Sequence, residues 1–179
     1  MVYVLLADGF EDVEALAPID VMRRAGIDVK TIGITGVTVT SSHGVRMFTD
    51  ATELDIDCDT EMLVLPGGGA GTEHLRHSQI VQEAIDSCVA QQVPIAAICA
   101  APSILGERGL LKGHRATCFP SFSSYLEGAE YTGEPACEDG IFITGKSAGH
   151  SFRFGLRIVA RLRGAETAAK VAHAIYQED

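Results

Sequence analysis

The sequence of 179 residues contains no tryptophan and no asparagine, and its 24 acidic residues outnumber its 14 lysines and arginines. The absence of asparagine excludes N-glycosylation. A formal charge of −10 argues against binding to nucleic acid or to anionic membranes, since both require a basic surface. We therefore expect neither of these partners.

Cysteine is present, but not in the patterns that stabilise secreted domains or bind zinc. The five cysteines lie far apart and form no CxxC motif, which disfavours a disulfide framework and a zinc site.

Long apolar runs are missing too. The longest uncharged one, residues 93–105, contains two prolines and is too short to span a bilayer. The amino terminus lacks the basic segment of a secretory signal. These features predict a cytoplasmic protein with reduced thiols.

What the sequence does contain is an alternation of short apolar runs, which predict strands, and amphipathic segments, which predict helices. Pro18 lies inside the first helix and is expected to bend it or to disturb its first turn. Residues 37–40 and 45–49 predict an inserted β-hairpin. The remaining predicted strands cover residues 2–7, 28–34, 61–65, 94–98, 115–118 and 141–144, and the predicted helices cover residues 11–25, 79–90, 151–162 and 165–176, with one more after Cys99.

Strands that alternate with helices pair in parallel and are covered by helices on both faces. The expected fold class is therefore α/β, a three-layer sandwich with a mostly parallel, flavodoxin-like sheet and the inserted β-hairpin. With no internal repeat or long linker, residues 1–179 are expected to form a single domain. In this fold, functional residues gather at the carboxyl ends of the strands.

One predicted strand end carries a candidate nucleophile. The sequence AICAA at residues 97–101 has the pattern of a strand-to-helix elbow, in which a strained central residue tolerates only small neighbours. The amino terminus of the following helix would favour a Cys99 thiolate. Cysteine is also common as a small buried residue, so the spacing alone leaves a reactive and a structural Cys99 open. The other four cysteines are expected to pack in the interior, although Cys118 could lie near Cys99.

Two further strand ends carry an acidic helix start and consecutive glycines. Glu11 and Asp12 are ordinary acidic partners of a helix amino terminus, whereas Glu14 has apolar neighbours and is expected to point inward. A carboxyl buried beside a thiolate would be protonated and could donate a hydrogen bond to the sulfur. The glycines at residues 67–69 offer free amides that suit an oxyanion hole or an anion nest, or they form an ordinary turn.

Other patterns in the sequence do not support a binding site. Residues 140–147 match GxxxxGK[ST], but the residues between the glycines predict a strand, so no nucleotide site is expected. The six histidines form no set with metal-binding spacing, and we predict neither a metal nor another cofactor. Arg153, Arg157 and Arg161 lie at i, i+4 and i+8, which is more typical of an exposed helix stripe than of a partner site.

Taken together, these segments resemble the ThiJ/PfpI superfamily, in the branch of the parkinsonism-associated protein DJ-one and its bacterial relatives. The most specific matches are AAICAAP at residues 96–102 and VLPGG at residues 64–68, and PIDVMRRAG at residues 18–26 is a looser one. The resemblance covers nearly the whole chain.

The resemblance implies a role for particular residues. Cys99 would be the nucleophile, Glu14 its protonated partner, and the amides of Gly68 and Ala100 the oxyanion hole. The loop at residues 147–149 would line the pocket from across a homodimer. The remaining implied pocket residues are Gly67, Gly69, His43, Cys118, Phe119 and Ala148.

The chain departs from the superfamily's pattern at three positions. Peptidase and amidotransferase members generally have a histidine directly after the cysteine, where this chain has Ala100. Phe119 stands where a pocket histidine is often found, and His43 stands where arginine is frequent. Without a histidine base, a hydrolase of the Ser-His-Asp type is not expected, and proton transfer would depend on Glu14 or water.

Three functions remain open at this point. The resemblance implies a cofactor-independent thiol enzyme of glyoxalase III or protein deglycase type, acting on small dicarbonyls such as methylglyoxal or on their protein adducts. The alternative is a redox-sensing stress protein or holdase chaperone that uses oxidation of Cys99. A third possibility is a binding module without chemistry, in which alkylation would not favour Cys99.

Overall fold

The computed structural model of the chain describes residues 1–177. The strands are β1 (Val2–Leu6), β2 (Val29–Gly33), β3 (Thr38–Thr40), β4 (Arg46–Phe48), β5 (Met62–Leu65), β6 (Ile95–Ile98), β7 (Arg115–Ala116), β8 (Glu130–Tyr131), β9 (Ala136–Asp139) and β10 (Phe142–Gly145). The helices are α1 (Asp12–Arg24), α2 (Gly69–His77), α3 (Gln79–Gln91), α4 (Pro102–Glu107), α5 (Ser151–Arg163) and α6 (Ala165–Ala174). Short 3₁₀ helices cover Pro120–Tyr125 and Ala148–His150.

Six of these strands form a central sheet in the order β2-β1-β5-β6-β10-β9. Pairing is parallel except between β10 and the edge strand β9. Helices cover both faces, so the fold is the three-layer α/β arrangement that the sequence predicts. Because β1, β5, β6 and β10 run in one direction, their carboxyl ends lie at the same edge of the sheet.

The central strands are buried on both faces, which explains their continuous apolar sequences. In β5, Met62 and Val64 pack into a core shared with α1, α5 and α6, whereas Leu63 and Leu65 pack with α3 and α4 on the other face. All four side chains are fully buried. The two-residue alternation of a strand thus places one short segment in both layers of the core.

Several local predictions are confirmed. Strands β3 and β4 pair antiparallel, as expected for the inserted hairpin. The segment within the GxxxxGK[ST] match forms strand β10, so it is not a phosphate-binding loop. Within residues 1–177, no helix has both the length and the apolar character needed to cross a membrane.

Other elements differ from the sequence prediction. Helix α2 precedes the helix predicted at residues 79–90, and Ser78 separates the two. Strands β8 and β9 were not predicted, because both are short edge strands without an apolar run. Helix α1, by contrast, contains Pro18 as the sequence predicts, and it continues through this residue although proline removes the amide that would bond to the carbonyl of Glu14.

An ion pair connects the last turn of α5 to the start of β5. Two Arg163 nitrogens donate to the Glu61 carboxylate, from Nη1 to Oε1 at 2.6 Å and from Nη2 to Oε2 at 3.1 Å. The terminal ammonium of Met1 donates to the same carboxylate at 3.2 Å. The hydrogen bonds from Arg163 lower the pKa of Glu61 to about 2, against an opposing effect of burial.

This pKa predicts how the stability of the fold depends on pH. Because the pKa of Glu61 is lower in the folded chain, its ionised form stabilises the fold above the ordinary pKa of 4.5, and this contribution is lost as the pH falls through about 2. We expect Glu61→Gln to lower the free energy of unfolding at neutral pH. The difference from the unsubstituted protein should shrink between about pH 4.5 and 2 in urea titrations.

The matched control for this prediction is Glu166→Gln. Glu166 pairs with Lys170 at 2.7 Å, but both side chains are largely exposed, so this pair should contribute little at any pH. A loss of stability in Glu61→Gln that stays constant from neutral to acidic pH would contradict the assignment.

Candidate active site

The loops that follow β1, β5, β6 and β10 meet at the carboxyl edge of the sheet. Gly67, after β5, lies directly against both Glu14 and Cys99, and a Cβ at Gly67 would approach the Cys99 Cβ to 2.8 Å. The amide of Glu11 donates to the carbonyl of Gly67 at 3.0 Å, which fixes the start of α1 on the glycine loop. Residues far apart in sequence thus converge as the parallel fold predicts.

Cys99 occupies the strained elbow that its neighbours predict. Its φ is +64°, in the left-handed region that residues other than glycine rarely adopt. The Cys99 amide donates to the Gly145 carbonyl at 2.9 Å, and the Cys99 carbonyl accepts from the Phe119 amide at 2.9 Å. These two bonds hold the conformation from both sides.

The surroundings of the sulfur oppose ionisation as well as assist it. Burial raises the pKa of Cys99, and the nearby Glu14 carboxyl raises it further. The amides of Gly68 and Ala100 face the sulfur and act in the opposite direction, but they do not outweigh burial. The resemblance implies an oxyanion hole at the amides of Gly68 and Ala100, and in the structure both amides face the sulfur.

The helix after the elbow does not supply the expected thiolate. α4 begins only at Pro102, after Cys99 and two further residues, and contains six residues, so its dipole is short. The net pKa shift of Cys99 is upward, which contradicts the expectation of a thiolate stabilised by the helix amino terminus. A Cys99 thiolate must instead form by giving its proton to a neighbouring group.

Glu14 is the neighbouring group that can take this proton. It projects from α1 and is 1% exposed, so the inward orientation predicted from its apolar neighbours is confirmed. Burial raises the pKa of Glu14 to about 7, and contacts with the Cys99 thiol and with the amides of Gly67 and Ala148 act against that rise. Its Oε2 is buried without a hydrogen-bond partner, an arrangement that favours the protonated carboxyl.

Glu14, which is buried, and Cys99, which is partly buried, therefore form a pair of adjacent acids. Since burial and mutual repulsion disfavour two negative charges, the pair keeps at least one proton at neutral pH. When Cys99 is the thiolate, Glu14 holds that proton. The groups that act on the pKa of Cys99 are this carboxyl and the amides of Gly68 and Ala100.

The loop after β10 reaches the pair within the same chain. The Ala148 amide faces the Glu14 carboxyl of its own chain, whereas the resemblance implied that this loop enters the pocket from across a homodimer. The reason is the position of β10 beside β6, which brings the two strand ends next to each other. Ala148 is therefore a residue of the site in the single chain.

The other residues implied for the pocket differ in how near they lie. Phe119 is joined to Cys99 by the backbone hydrogen bond described above, and its side chain is partly exposed. Cys118 is buried and its thiol donates to the Phe119 carbonyl at 3.3 Å, while burial raises the pKa of Cys118 to about 11. Gly69 begins α2, and a Cβ there would meet no atom, so a side chain could be accommodated.

His43 lies at the tip of the hairpin and contacts the start of α1. Its Nδ1 is 2.8 Å from Asp12 Oδ2 and 3.7 Å from Glu11 Oε1. These three side chains place ligand atoms within 4.8 Å of one another, which is close enough to hold a cation. The sequence does not reveal this cluster, because the hairpin brings His43 to residues about thirty positions earlier. His43 is exposed, Glu11 and Asp12 are partly buried, and the side chains already contact one another.

The geometry of the site defines a class of protein, namely an α/β protein with a cysteine elbow beside a buried carboxyl. A sequence profile of the DJ-1/PfpI family matches residues 1–161, and the chain belongs to this family. The Parkinson disease protein 7 homolog of Danio rerio is 35% identical over 182 residues, covering 98% of this chain and 96% of the relative. A protein of Pyrococcus abyssi named as a deglycase is 28% identical over 165 residues, covering 90% and 99%.

Solved structures show the same relationship. The crystal structure of Drosophila melanogaster DJ-1beta matches with a TM-score of 0.93 and 32% identity, over 99% of this chain and 98% of that one. A Toxoplasma gondii DJ-1 structure described as oxidized matches with a TM-score of 0.90 and 28% identity, over 98% and 97%. The α/β fold is thus shared with members of the DJ-1 group.

The shared proton predicts the pH dependence of Cys99 alkylation. We expect the rate with iodoacetamide to rise with a midpoint near pH 7, because Glu14 ionises there and can then accept the thiol proton, even though the pKa of the Cys99 thiol itself is raised. In Glu14→Gln the midpoint should move above that of an ordinary thiol, because burial remains and the proton acceptor is gone. Peptide mapping by mass spectrometry after timed labelling gives both rates.

Cys58 provides the internal comparison in the same labelling experiment. Cys58 is exposed, so the expectation that it packs in the interior is wrong, whereas Cys88, Cys118 and Cys137 are buried as expected and should label slowly in the folded protein. If Cys99 and Cys58 gave the same pH profile, or if Glu14→Gln left the Cys99 profile unchanged, the assignment of a shared proton would be wrong.

Proposed function

We propose that this protein is a cofactor-independent thiol enzyme that converts small reactive dicarbonyls such as methylglyoxal, or their adducts on proteins, into hydroxy acids. The observation that carries the proposal is the pair formed by the buried Glu14 and the partly buried Cys99, with the Gly68 and Ala100 amides facing the sulfur. A nucleophile, a proton carrier and two oxyanion donors are the groups that such a reaction needs. The deglycase name of the Pyrococcus abyssi relative also supports it.

The first step is addition of the thiol to the aldehyde. The Cys99 sulfur forms a bond to the aldehyde carbon as its proton passes to Glu14, and the carbonyl oxygen becomes an alkoxide. The amides of Gly68 and Ala100 stabilise that oxygen, and Glu14 returns the proton to give a hemithioacetal. A carboxyl with a pKa near 7 suits both transfers, because it is partly ionised at neutral pH.

The second step moves a hydrogen between adjacent carbons. Glu14 removes the proton from the former aldehyde carbon to give an enediol, and delivers a proton to the former ketone carbon. The first carbon is thereby oxidised to a thioester and the second is reduced to an alcohol, so no external oxidant or reductant is needed. Water then hydrolyses the thioester, which releases lactate from methylglyoxal and restores the Cys99 thiol.

The decisive test measures lactate formed from methylglyoxal by the purified protein. Cys99→Ser should abolish turnover, and Glu14→Gln should reduce kcat by at least about 100-fold, because an amide cannot carry the proton. Cys58→Ser, which removes an exposed thiol, is the matched control and should retain full activity. Turnover that survives in Cys99→Ser or in Glu14→Gln would end the proposal.

A second function is favoured by the same geometry. A sulfinic acid on Cys99 could accept hydrogen bonds from the Gly68 and Ala100 amides and from a protonated Glu14, since these groups already face the sulfur. The oxidized Toxoplasma gondii structure is a relative in which oxidation is described. This arrangement would suit a redox-sensing stress protein or a chaperone controlled by Cys99.

Intact mass after mild peroxide treatment tests the redox function. We expect two added oxygen atoms confined to Cys99, since peroxide oxidises the thiolate to sulfenic and then sulfinic acid, releasing water at each step. Glu14→Gln should oxidise more slowly, because it lacks the acceptor for the thiol proton. Oxidation that spreads over Cys58 and leaves Cys99 intact would exclude this function.

The homodimer implied by the resemblance and the cytoplasmic location expected from the sequence stay predictions. In support of a dimer, α1 and α5 pack against each other and expose apolar side chains in the single chain, namely Val13, Leu16 and Phe152. Such side chains are suited to burial against a second copy.

A further inference from the structure

His150 lies beside the candidate active site but is not among its predicted residues. Its Nδ1 is 2.9 Å from the hydroxyl oxygen of Ser147, and its amide donates to the Ser147 carbonyl at 2.8 Å. The two residues therefore close the 3₁₀ turn of Ala148–His150 through both backbone and side chain. This turn carries the Ala148 amide that faces Glu14.

We propose that His150 is a positioning residue, which holds the Ala148 amide against the Glu14 carboxyl through its hydrogen bond to Ser147. The inference deepens the proposed function and rests on it, because His150 acts on the reaction only through Glu14. It assigns no contact between His150 and the substrate.

The hydrogen bonds around the turn show why the side chain is needed. Ser147 precedes the turn, but its hydroxyl bonds to none of the turn's own amides and pairs with the His150 ring instead. At the other end, the Ser151 hydroxyl donates to the Ala148 carbonyl at 2.8 Å. Gly149 lies between these hydrogen bonds, is exposed and has room for a side chain. Packing around Gly149 therefore does not hold the turn.

The same loop contacts both members of the Glu14–Cys99 pair. The Gly145 carbonyl accepts from the Cys99 amide at 2.9 Å, and three residues later the Ala148 amide faces Glu14. A shift of the turn would therefore alter the position of Glu14 relative to the elbow. Since proton transfer requires close approach of donor and acceptor, a small displacement costs rate.

His150 is suited to a fixed hydrogen bond rather than to a switch. Burial lowers its pKa, and the positive charges of Lys146 and Arg153 lower it further, so the ring is neutral around pH 7. The groups that face Glu14 are Cys99, Glu11 and the amides of Gly67 and Ala148. A change in the pH profile near neutrality would thus report the Glu14 pair.

The test is the pH profile of Cys99 alkylation in His150→Ala, together with the kinetics of lactate formation. Loss of an amide donor raises the pKa of a carboxyl, so we expect the midpoint to move upward by about one pH unit. We also expect kcat to fall about tenfold with KM little changed, because the defect lies in proton transfer. His150→Asn, whose side-chain amide can occupy the place of Nδ1, should restore both values.

Two further variants separate this role from a merely structural one. Ser147→Ala should reproduce the effect of His150→Ala, and the double variant should be no worse than either single one, since both remove the same bond. His77→Ala, an exposed histidine on α2, is the control and should leave the profile unchanged. An unshifted midpoint in His150→Ala, with or without a lower melting temperature, overturns the proposal.

The alkylation experiment also distinguishes a failure of this proposal from a failure of the proposed function. The rate at which iodoacetamide alkylates Cys99 depends on the Cys99–Glu14 pair even if the protein does not act on methylglyoxal. An upward shift without lactate production by any variant would therefore support the positioning role and reject the dicarbonyl activity.

Discussion

The site depends on one constraint, which is that two adjacent acids, shielded from solvent to different degrees, cannot both be charged. Glu14 is almost completely enclosed, and Cys99 beside it is partly buried, so burial raises the pKa of both groups. A single negative charge can be stabilised there by the surrounding amides, but a second cannot. The remaining proton is then available for transfer between the carboxyl and the sulfur, or between either group and a bound molecule. This shared proton takes the place of a histidine base.

The rest of the fold serves to keep that contact close. Gly67 has no space for a Cβ between Glu14 and Cys99, so a side chain there would force the two acids apart. The strained backbone of Cys99 is held by hydrogen bonds to the strand end of β10 and to Phe119. The loop after β10 then adds the Ala148 amide to Glu14. These supports come from the ends of β5 and β10 and from Phe119, and the parallel sheet brings the ends of β5 and β10 beside Cys99. The overall charge of −10 makes these local contacts more necessary, since the wider field opposes another negative charge.

Much of the architecture was predictable, because the interior of a parallel sheet leaves long apolar runs in the sequence. The central strands, the hairpin and the helices that pack on the sheet follow from that pattern. Strands β8 and β9 could not be predicted, because short edge strands with polar side chains, such as Glu138 and Asp139 in β9, form no apolar run in the sequence. Pro18 lies inside α1, as the sequence predicts, and the helix continues through it despite the loss of one hydrogen bond.

For the site, the sequence by itself determined which groups are present: a cysteine between small residues, a carboxyl with apolar neighbours and a run of glycines. Only the tertiary structure decided their protonation and which other residues lie beside them. The pKa of Cys99 is set by burial and by Glu14, not by the short helix that follows it, and Ala148 joins the site from its own chain. Likewise, His150 gains significance only because its turn lies beside Glu14. Burial and distance govern these effects, and both arise from contacts between residues that are remote in the sequence.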